Sequence, residues 1–169
     1  KGWNLFSIPS TLSDPSIELF LSEIINSTES IWTYDTEWEV YRPDTPELNS
    51  LTTLTPGYGY WLNYTNDNAV TLSKEISSTS TGPTPPPSRV LSVGWNLVGT
   101  YHFLDTSSQA LDSLFETIPL YSNSVVTYTN TSESFSLLSP TDSVLAGSGY
   151  WLFIPTAADG PTTYSPTEF

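Results

Sequence analysis

Cysteine and methionine are absent from the 169 residues, and histidine occurs once, at His102. Without cysteine there is no disulfide, no thiolate nucleophile and no cysteine-based zinc site. A single histidine leaves no pair for a metal, so neither a metal nor another cofactor is expected. Basic residues are almost as scarce: four Lys and Arg stand against 18 Asp and Glu, a net charge of −14. Phosphate neutralisation needs Lys and Arg, so nucleic acid is not an expected partner, and an anionic membrane surface is disfavoured on the same ground. No apolar run approaches the roughly 18–20 residues of a membrane-crossing helix, and no span is expected in this stretch. The chain begins Lys1-Gly2-Trp3 and reads as a processed product or a piece of something longer.

Aromatics are plentiful at 14%, with 6 Trp and 10 Tyr, enough apolar area to exclude a wholly disordered chain. An acidic, Lys-poor chain rich in Ser and Thr, with 14 Pro, has the composition of an extracellular or cell-surface protein. Three Asn-x-Ser/Thr triplets begin at Asn26, Asn63 and Asn130. In a secreted context they are candidate glycosylation sites.

The chain repeats itself. Gly2-Trp3-Asn4-Leu5 recurs as Gly94-Trp95-Asn96-Leu97, and Ile31-Trp32-Thr33-Tyr34 as Val125-Val126-Thr127-Tyr128. Gly57-Tyr58-Gly59-Tyr60-Trp61-Leu62 recurs as Gly147-Ser148-Gly149-Tyr150-Trp151-Leu152, and Val70-Thr71-Leu72-Ser73 matches Thr162-Thr163-Tyr164-Ser165. Four anchors in one order mark two copies of one module: 1–76 and 89–169, joined by a Ser/Thr/Pro-rich linker at 77–88. Pro85-Pro86-Pro87 in that linker favours an extended polyproline stretch.

Each copy reads β-α-β-β-β-β. In copy one Trp3–Ile8 is a strand. Asp14 is placed to cap a helix with Pro15 at its first position, and Ile17, Phe20, Leu21, Ile24 and Ile25 form its buried stripe over about 11 residues. Ser30–Tyr34 and Glu37–Tyr41 form a hairpin, Tyr58–Tyr64 a further strand and Val70–Lys74 the last. In copy two Val90–Gly99 is a strand. Thr106 or Ser107 caps a helix carrying Leu111, Leu114, Phe115 and Ile118, and strands follow in the same order. The fold class expected is α+β, a mostly antiparallel sheet with one amphipathic helix per module. Copy two carries Arg89–Val93 ahead of its Gly-Trp-Asn, where copy one has only Lys1. If that segment is half a strand, copy one has an edge open to strand addition.

Trp3, Trp61, Trp95 and Trp151 are shared by both copies and read first as core. Asn4 and Asn96 are suited to bond a loop backbone. Trp32 and Trp38, replaced in copy two by Val126 and Phe135, are freer for function. With Tyr34 and Tyr41 they make a candidate glycan platform on the hairpin of copy one.

Chemistry is thin. A Ser-His-Asp arrangement would need His102 with Asp105, which has no counterpart in copy one. Glu37 and Glu39 are a conceivable glycosidase pair, but solvent-facing charges on a sheet explain them better. No calcium loop or phosphate-binding glycine loop occurs, although Asp44 and Glu47 are acidic loop residues where calcium would bind adventitiously. No catalytic residue is assigned, and an enzyme is not expected.

Gly2-Trp3-Asn4-Leu5 followed by Ser7 and Pro9, with the later Pro56-Gly57-Tyr58-Gly59-Tyr60-Trp61, resembles a tandem repeat module of secreted and cell-surface proteins of archaea and bacteria. Copy two keeps Gly94–Leu97 but has Gly99 and Tyr101 at the next positions, and Ala146-Gly147 in place of Pro-Gly. The resemblance spans nearly the whole chain outside the linker. It implies a surface location and a scaffold or adhesion role, and it carries over no catalytic residue.

These readings converge on a non-catalytic extracellular protein: a subunit of a surface layer, sheath or filament, or the stalk of an adhesin. Its expected partners are copies of itself, other surface proteins, and glycans. Self-repulsion at −14 makes any assembly dependent on salt or divalent cations. The alternative is a carbohydrate-binding module of a larger secreted enzyme or adhesin.

Overall fold

A computed structural model describes residues 1–77, 88–101, 108–116, 118, 124–155 and 162–165. In the first module the strands are β1 (Gly2–Ser7), β2 (Thr28–Asp35), β3 (Glu37–Tyr41) and β4 (Gly59–Tyr64). In the second they are β5 (Arg89–Leu91), β6 (Gly94–Gly99), β7 (Ser108–Ala110), β8 (Val125–Thr129), β9 (Ser134–Leu137), β10 (Ser143–Leu145), β11 (Gly149–Ile154) and β12 (Thr162–Tyr164). The helices are α1 (Ile17–Leu21) and α2 (Leu111–Leu114). Of the linker expected at 77–88, Ser77 and Ser88 alone are among the described residues.

The two modules have the same sheet. β1-β4-β2-β3 and β6-β11-β8-β9 are four-stranded and antiparallel throughout, and two two-stranded pairs, β10-β7 and β12-β5, are added in the second module. Aromatic and β-branched runs such as Ile31-Trp32-Thr33-Tyr34 favour this pleated geometry.

The α+β expectation is corrected: the described residues are mostly β, 45% strand and 13% helical. The apolar stripe is real, since Ile17, Phe20, Leu21 and Ile24 are all buried. What fails is the helix length. After Leu21 come Ser22, Glu23, two β-branched isoleucines, Asn26 and Ser27, a poor helical run. The chain turns instead, with the Ile24 amide donating to Leu21 O at 2.7 Å and a 3₁₀ turn following at Ile25–Ser27. The cap also differs. Ser16 is the N-cap, accepting from the Leu19 amide, while Asp14, two residues earlier, accepts through Oδ1 from the Ser16 amide. In the second module α2 follows Ala110 directly; Thr106 and Ser107 lie outside the described residues.

Two strand expectations are also corrected. Val90–Gly99 is broken at Ser92-Val93. Asn96 clasps that break, with Nδ2 donating to Ser92 O and Gly94 O and Oδ1 accepting from the Ser92 amide. Val70–Lys74 is not a strand. Its counterpart β12 pairs with β5, and no β5 equivalent lies beside 70–74 among the described residues.

Each sheet has two faces. Strand alternation sends Phe6, Ile31, Tyr41, Tyr60 and Tyr64 to the side covered by α1, where they join Ile8, Leu51 and Leu54 in one core. Val98, Val125, Tyr150 and Leu152 do the same beneath Leu111, Leu114 and Phe115. Burial of one such side chain contributes about 1.5–3 kcal/mol. The opposite faces, carrying Leu5 and Leu97, turn toward each other.

The modules meet about a local twofold. The Ser7 amide donates to Gly147 O at 2.7 Å, and its repeat partner, the Gly99 amide, donates to Gly57 O at 3.1 Å. Bridges Phe6↔Ser148 and Tyr58↔Val98 obey the same exchange. Two glycines permit the approach. A Cβ on Gly59 would stand 2.8 Å from Val98 O, and one on Gly149 2.7 Å from Phe6 O.

Candidate functional site

On the sheet face away from α1, β1 presents Trp3, β2 presents Ser30 and Trp32, β3 presents Trp38 and Arg42 follows it, and β4 presents Trp61 and Asn63. The registers Trp3↔Asn63, Trp32↔Trp61 and Trp32↔Val40 place these side chains beside one another. A β-bulge between Thr28 and Ser30 brings Glu29 to the same rim. Tyr128 and Phe135 of the second module close the far wall. The result is an open groove of about 590 Å³.

Its lining is chiefly aromatic. Trp3 is 39% exposed, Trp38 49% and Phe135 59%, a concentration of uncovered rings that a lone domain seldom presents without a partner. The rings brace one another edge-on: Trp3 with Trp61 at 6.2 Å, Trp32 with Trp38 at 6.1 Å, and Trp61 with Tyr128 at 4.9 Å between centroids. Such contacts fix ring orientation at a cost in mobility paid during folding.

Polar groups are few and held. Asn63 Nδ2 donates to Glu29 Oε2 at 2.7 Å. Trp32 Nε1 donates to Ser30 Oγ at 3.0 Å. The Arg42 guanidinium stands 4.7 Å from the Trp32 ring centroid, a cation–π contact. The Arg42 backbone is clasped by Asn49, whose side chain accepts from its amide at 2.7 Å and donates to its carbonyl at 3.1 Å.

A smaller groove of about 340 Å³ is lined by Trp95, Val126, Phe135 and Trp151. These are the repeat partners of Trp3, Trp32, Trp38 and Trp61. The second groove is thus the mate of the first, with Val126 in place of Trp32, while Ser139 and Phe153, the repeat partners of Arg42 and Asn63, do not line it.

Of the four platform residues expected from the sequence, Trp32 and Trp38 line the larger groove. Tyr34 is half-buried on the same face, 5.3 Å from Trp38 and 5.9 Å from Trp151. Tyr41 is elsewhere: it lies buried in the core under α1, because odd positions of β3 face the helix. Burial, then the Glu18 charge, raises its pKa. The core assignment of the shared tryptophans is corrected for Trp3 and Trp95, which are exposed; Trp61 and Trp151 are half-buried against the opposite module.

Glu39 faces a polar hollow of about 240 Å³ with Asp35, Thr33, Tyr58 and Tyr60, and Glu37 does not line it. Asp35 there is already engaged. Its Oδ1 pairs with Arg89 Nη2 at 3.0 Å, and its Oδ2 accepts from the Tyr58 hydroxyl at 3.3 Å. Arg89 is 5% exposed in its side chain, donates to Leu97 O at 2.9 Å, and lies 4.0 Å from the Tyr58 ring centroid. This ion pair joins the modules. Among the described residues no three His, Cys, Asp or Glu converge on a metal position. His102 and Asp105 lie outside the described residues. No helix among the described residues is long and apolar enough to cross a membrane.

The glycosylation candidates differ in surroundings. Asn26 is exposed. Asn63 sits in the larger groove. Asn130 Nδ2 crosses to the other module, donating to Lys1 O at 2.9 Å and Trp3 O at 2.6 Å.

Sequence reasoning missed Glu29, Trp3, Trp61, Tyr128 and Phe135 as groove residues. Strand parity was the available signal for Trp3 and Trp61. The bulge that presents Glu29, and the docking that brings in Tyr128 and Phe135, leave no local trace. No family model matches the chain, no curated protein matches it, and no solved structure matches it.

Proposed function

We propose that this chain is a non-catalytic, extracellular cell-surface module pair that binds carbohydrate in the groove of its first module. The carrying observation is the set of partly uncovered indole rings, Trp3, Trp32, Trp38 and Trp61, beside Arg42, Glu29 and Asn63. The C–H faces of pyranose rings stack on aromatic planes, and a few fixed polar groups select among sugar hydroxyls. Affinity electrophoresis in gels containing soluble polysaccharides tests this. Retardation of the native protein, relieved by Trp38→Ala, supports it. Equal migration with and without every polysaccharide removes it.

A structural-subunit role is favoured by a separate observation. Leu137 and Leu145 are exposed on β9 and β10, and β9 is the outer strand of its sheet. Such an edge is a template for pairing with another copy. Light scattering and electron microscopy decide it: regular filaments or sheets support it, and a dispersed particle of 18.6 kDa does not.

A further inference from the structure

The two grooves adjoin. Phe135 lines both. Trp38, on the wall of the larger, stands 5.9 Å from Trp151 in the smaller, and Trp61 stands 6.0 Å from Phe135. Beyond Trp151 the path ends at Trp95, which is 43% exposed and packs on Phe153 at 5.1 Å. One short sugar needs one or two rings. A succession of rings from Trp3 to Trp95, across both modules, matches a polymer.

Charge narrows the polymer. The molecule carries −14, a field that repels polyanions. Three of its four cations are tied to carboxylates: Lys1 to Asp67, Lys74 to Glu23 and Arg89 to Asp35. Arg42 is the cation of the groove, and Glu29 on the same rim offsets it. The groove is therefore close to neutral inside an acidic surface. An uncharged chain suits it, and a uronate or sulfated chain does not.

We infer that the groove takes an uncharged polysaccharide strand running across both modules. The half in the first module, with Arg42, Glu29 and Asn63, selects the sugar. The half in the second, where Val126 replaces Trp32 and the repeat partners of Arg42 and Asn63 do not line the groove, adds stacking and hence dependence on chain length. This inference rests on the carbohydrate reading of the same site.

The test is isothermal titration of the whole chain with gluco-, manno-, xylo- and N-acetylchito-oligosaccharides, each from disaccharide to hexasaccharide, and with polygalacturonate. The expected result is at least one neutral series whose affinity climbs with length, by about tenfold or more overall, equivalent to about 1.4 kcal/mol. Trp95→Ala, which touches the smaller groove alone, flattens that climb while the melting temperature stays near wild type. Polygalacturonate gives no heat. Length-independent binding that Trp38→Ala abolishes would overturn the spanning strand and leave the carbohydrate site standing. Tighter binding of polygalacturonate than of any neutral series would overturn the charge argument. No binding in any series would overturn both the inference and the carbohydrate reading.

Discussion

Trp38 in β3 stands edge-on to Trp151 in β11 with ring centroids 5.9 Å apart, and its repeat partner Phe135 stands edge-on to Trp61 at 6.0 Å. One pair is the other turned about the local twofold between the modules. The exchange holds for backbone bonds, for glycine contacts and for rings alike. The tandem repeat therefore folds as an internal dimer, and the linker makes the partner a permanent neighbour.

That symmetry makes a prediction about two glycines. Gly59→Ala and Gly149→Ala each drive a Cβ to within 3 Å of a carbonyl oxygen in the other module. Each is expected to cost about 1–3 kcal/mol. Because the two sites are mates, their costs should be similar. Urea denaturation monitored by Trp fluorescence reads both, and a neutral Gly149→Ala beside a damaging Gly59→Ala would break the equivalence.

Arg89 ties β5 to the first module. Arg89→Ala removes the counter-ion of Asp35 and the side-chain donor to Leu97 O and is expected to destabilise by about 3 kcal/mol, the low end for a buried pair since Asp35 is partly exposed. Asp35→Asn keeps a hydrogen-bond acceptor but leaves the buried Arg89 charge without its counter-ion, so it should cost at least as much. Comparison of urea midpoints for the two variants checks the ranking.

Alkali should act through two tyrosines. Tyr60 and Tyr164 are held above their ordinary value of 10.0, in both chiefly by burial. A neutral phenol is thus favoured in the folded chain. Its contribution is fully present below about pH 10 and is lost as pH rises toward the folded-state values. Absorbance titration at the phenolate band should show these two ionising only as the fold opens. Ionisation of all ten tyrosines near pH 10 with near-ultraviolet dichroism intact would contradict this.

The three sequons should not be equivalent. A glycan on Asn130 would break the amide contacts to Lys1 and Trp3, and one on Asn63 would displace the Glu29 bond and fill the groove. Asn26 is exposed. Peptide mapping of material from the native source is expected to find glycan at Asn26 and bare Asn63 and Asn130.

The repeat was legible in the residues, because Gly-Trp-Asn-Leu and Gly-x-Gly-Tyr-Trp-Leu recur in order, and it predicts two like sheets. The buried stripe of Ile17, Phe20, Leu21 and Ile24 was legible too. Its length as a helix was not, because apolar spacing reports which side chains are buried and says little about where a run of Ile, Asn and Ser leaves the helix. The core reading of Trp3 and Trp95 failed for a related reason. Sharing between copies marks a position the repeat needs, and here that position faces the other module and the groove between them. Tyr41 shows what parity alone decides, since it and Trp38 are an odd number of residues apart on one strand and point to opposite faces.

The central claim is that the ring-lined groove holds carbohydrate. Intrinsic tryptophan fluorescence, titrated with soluble neutral polysaccharides, reads four of the six indoles at the site itself. The account predicts a saturable shift or quench with at least one polysaccharide, much reduced in Trp38→Ala and in Trp3→Ala, neither of which unfolds the chain. An unchanged spectrum across the panel, or an equal response in wild type and both variants, would contradict it.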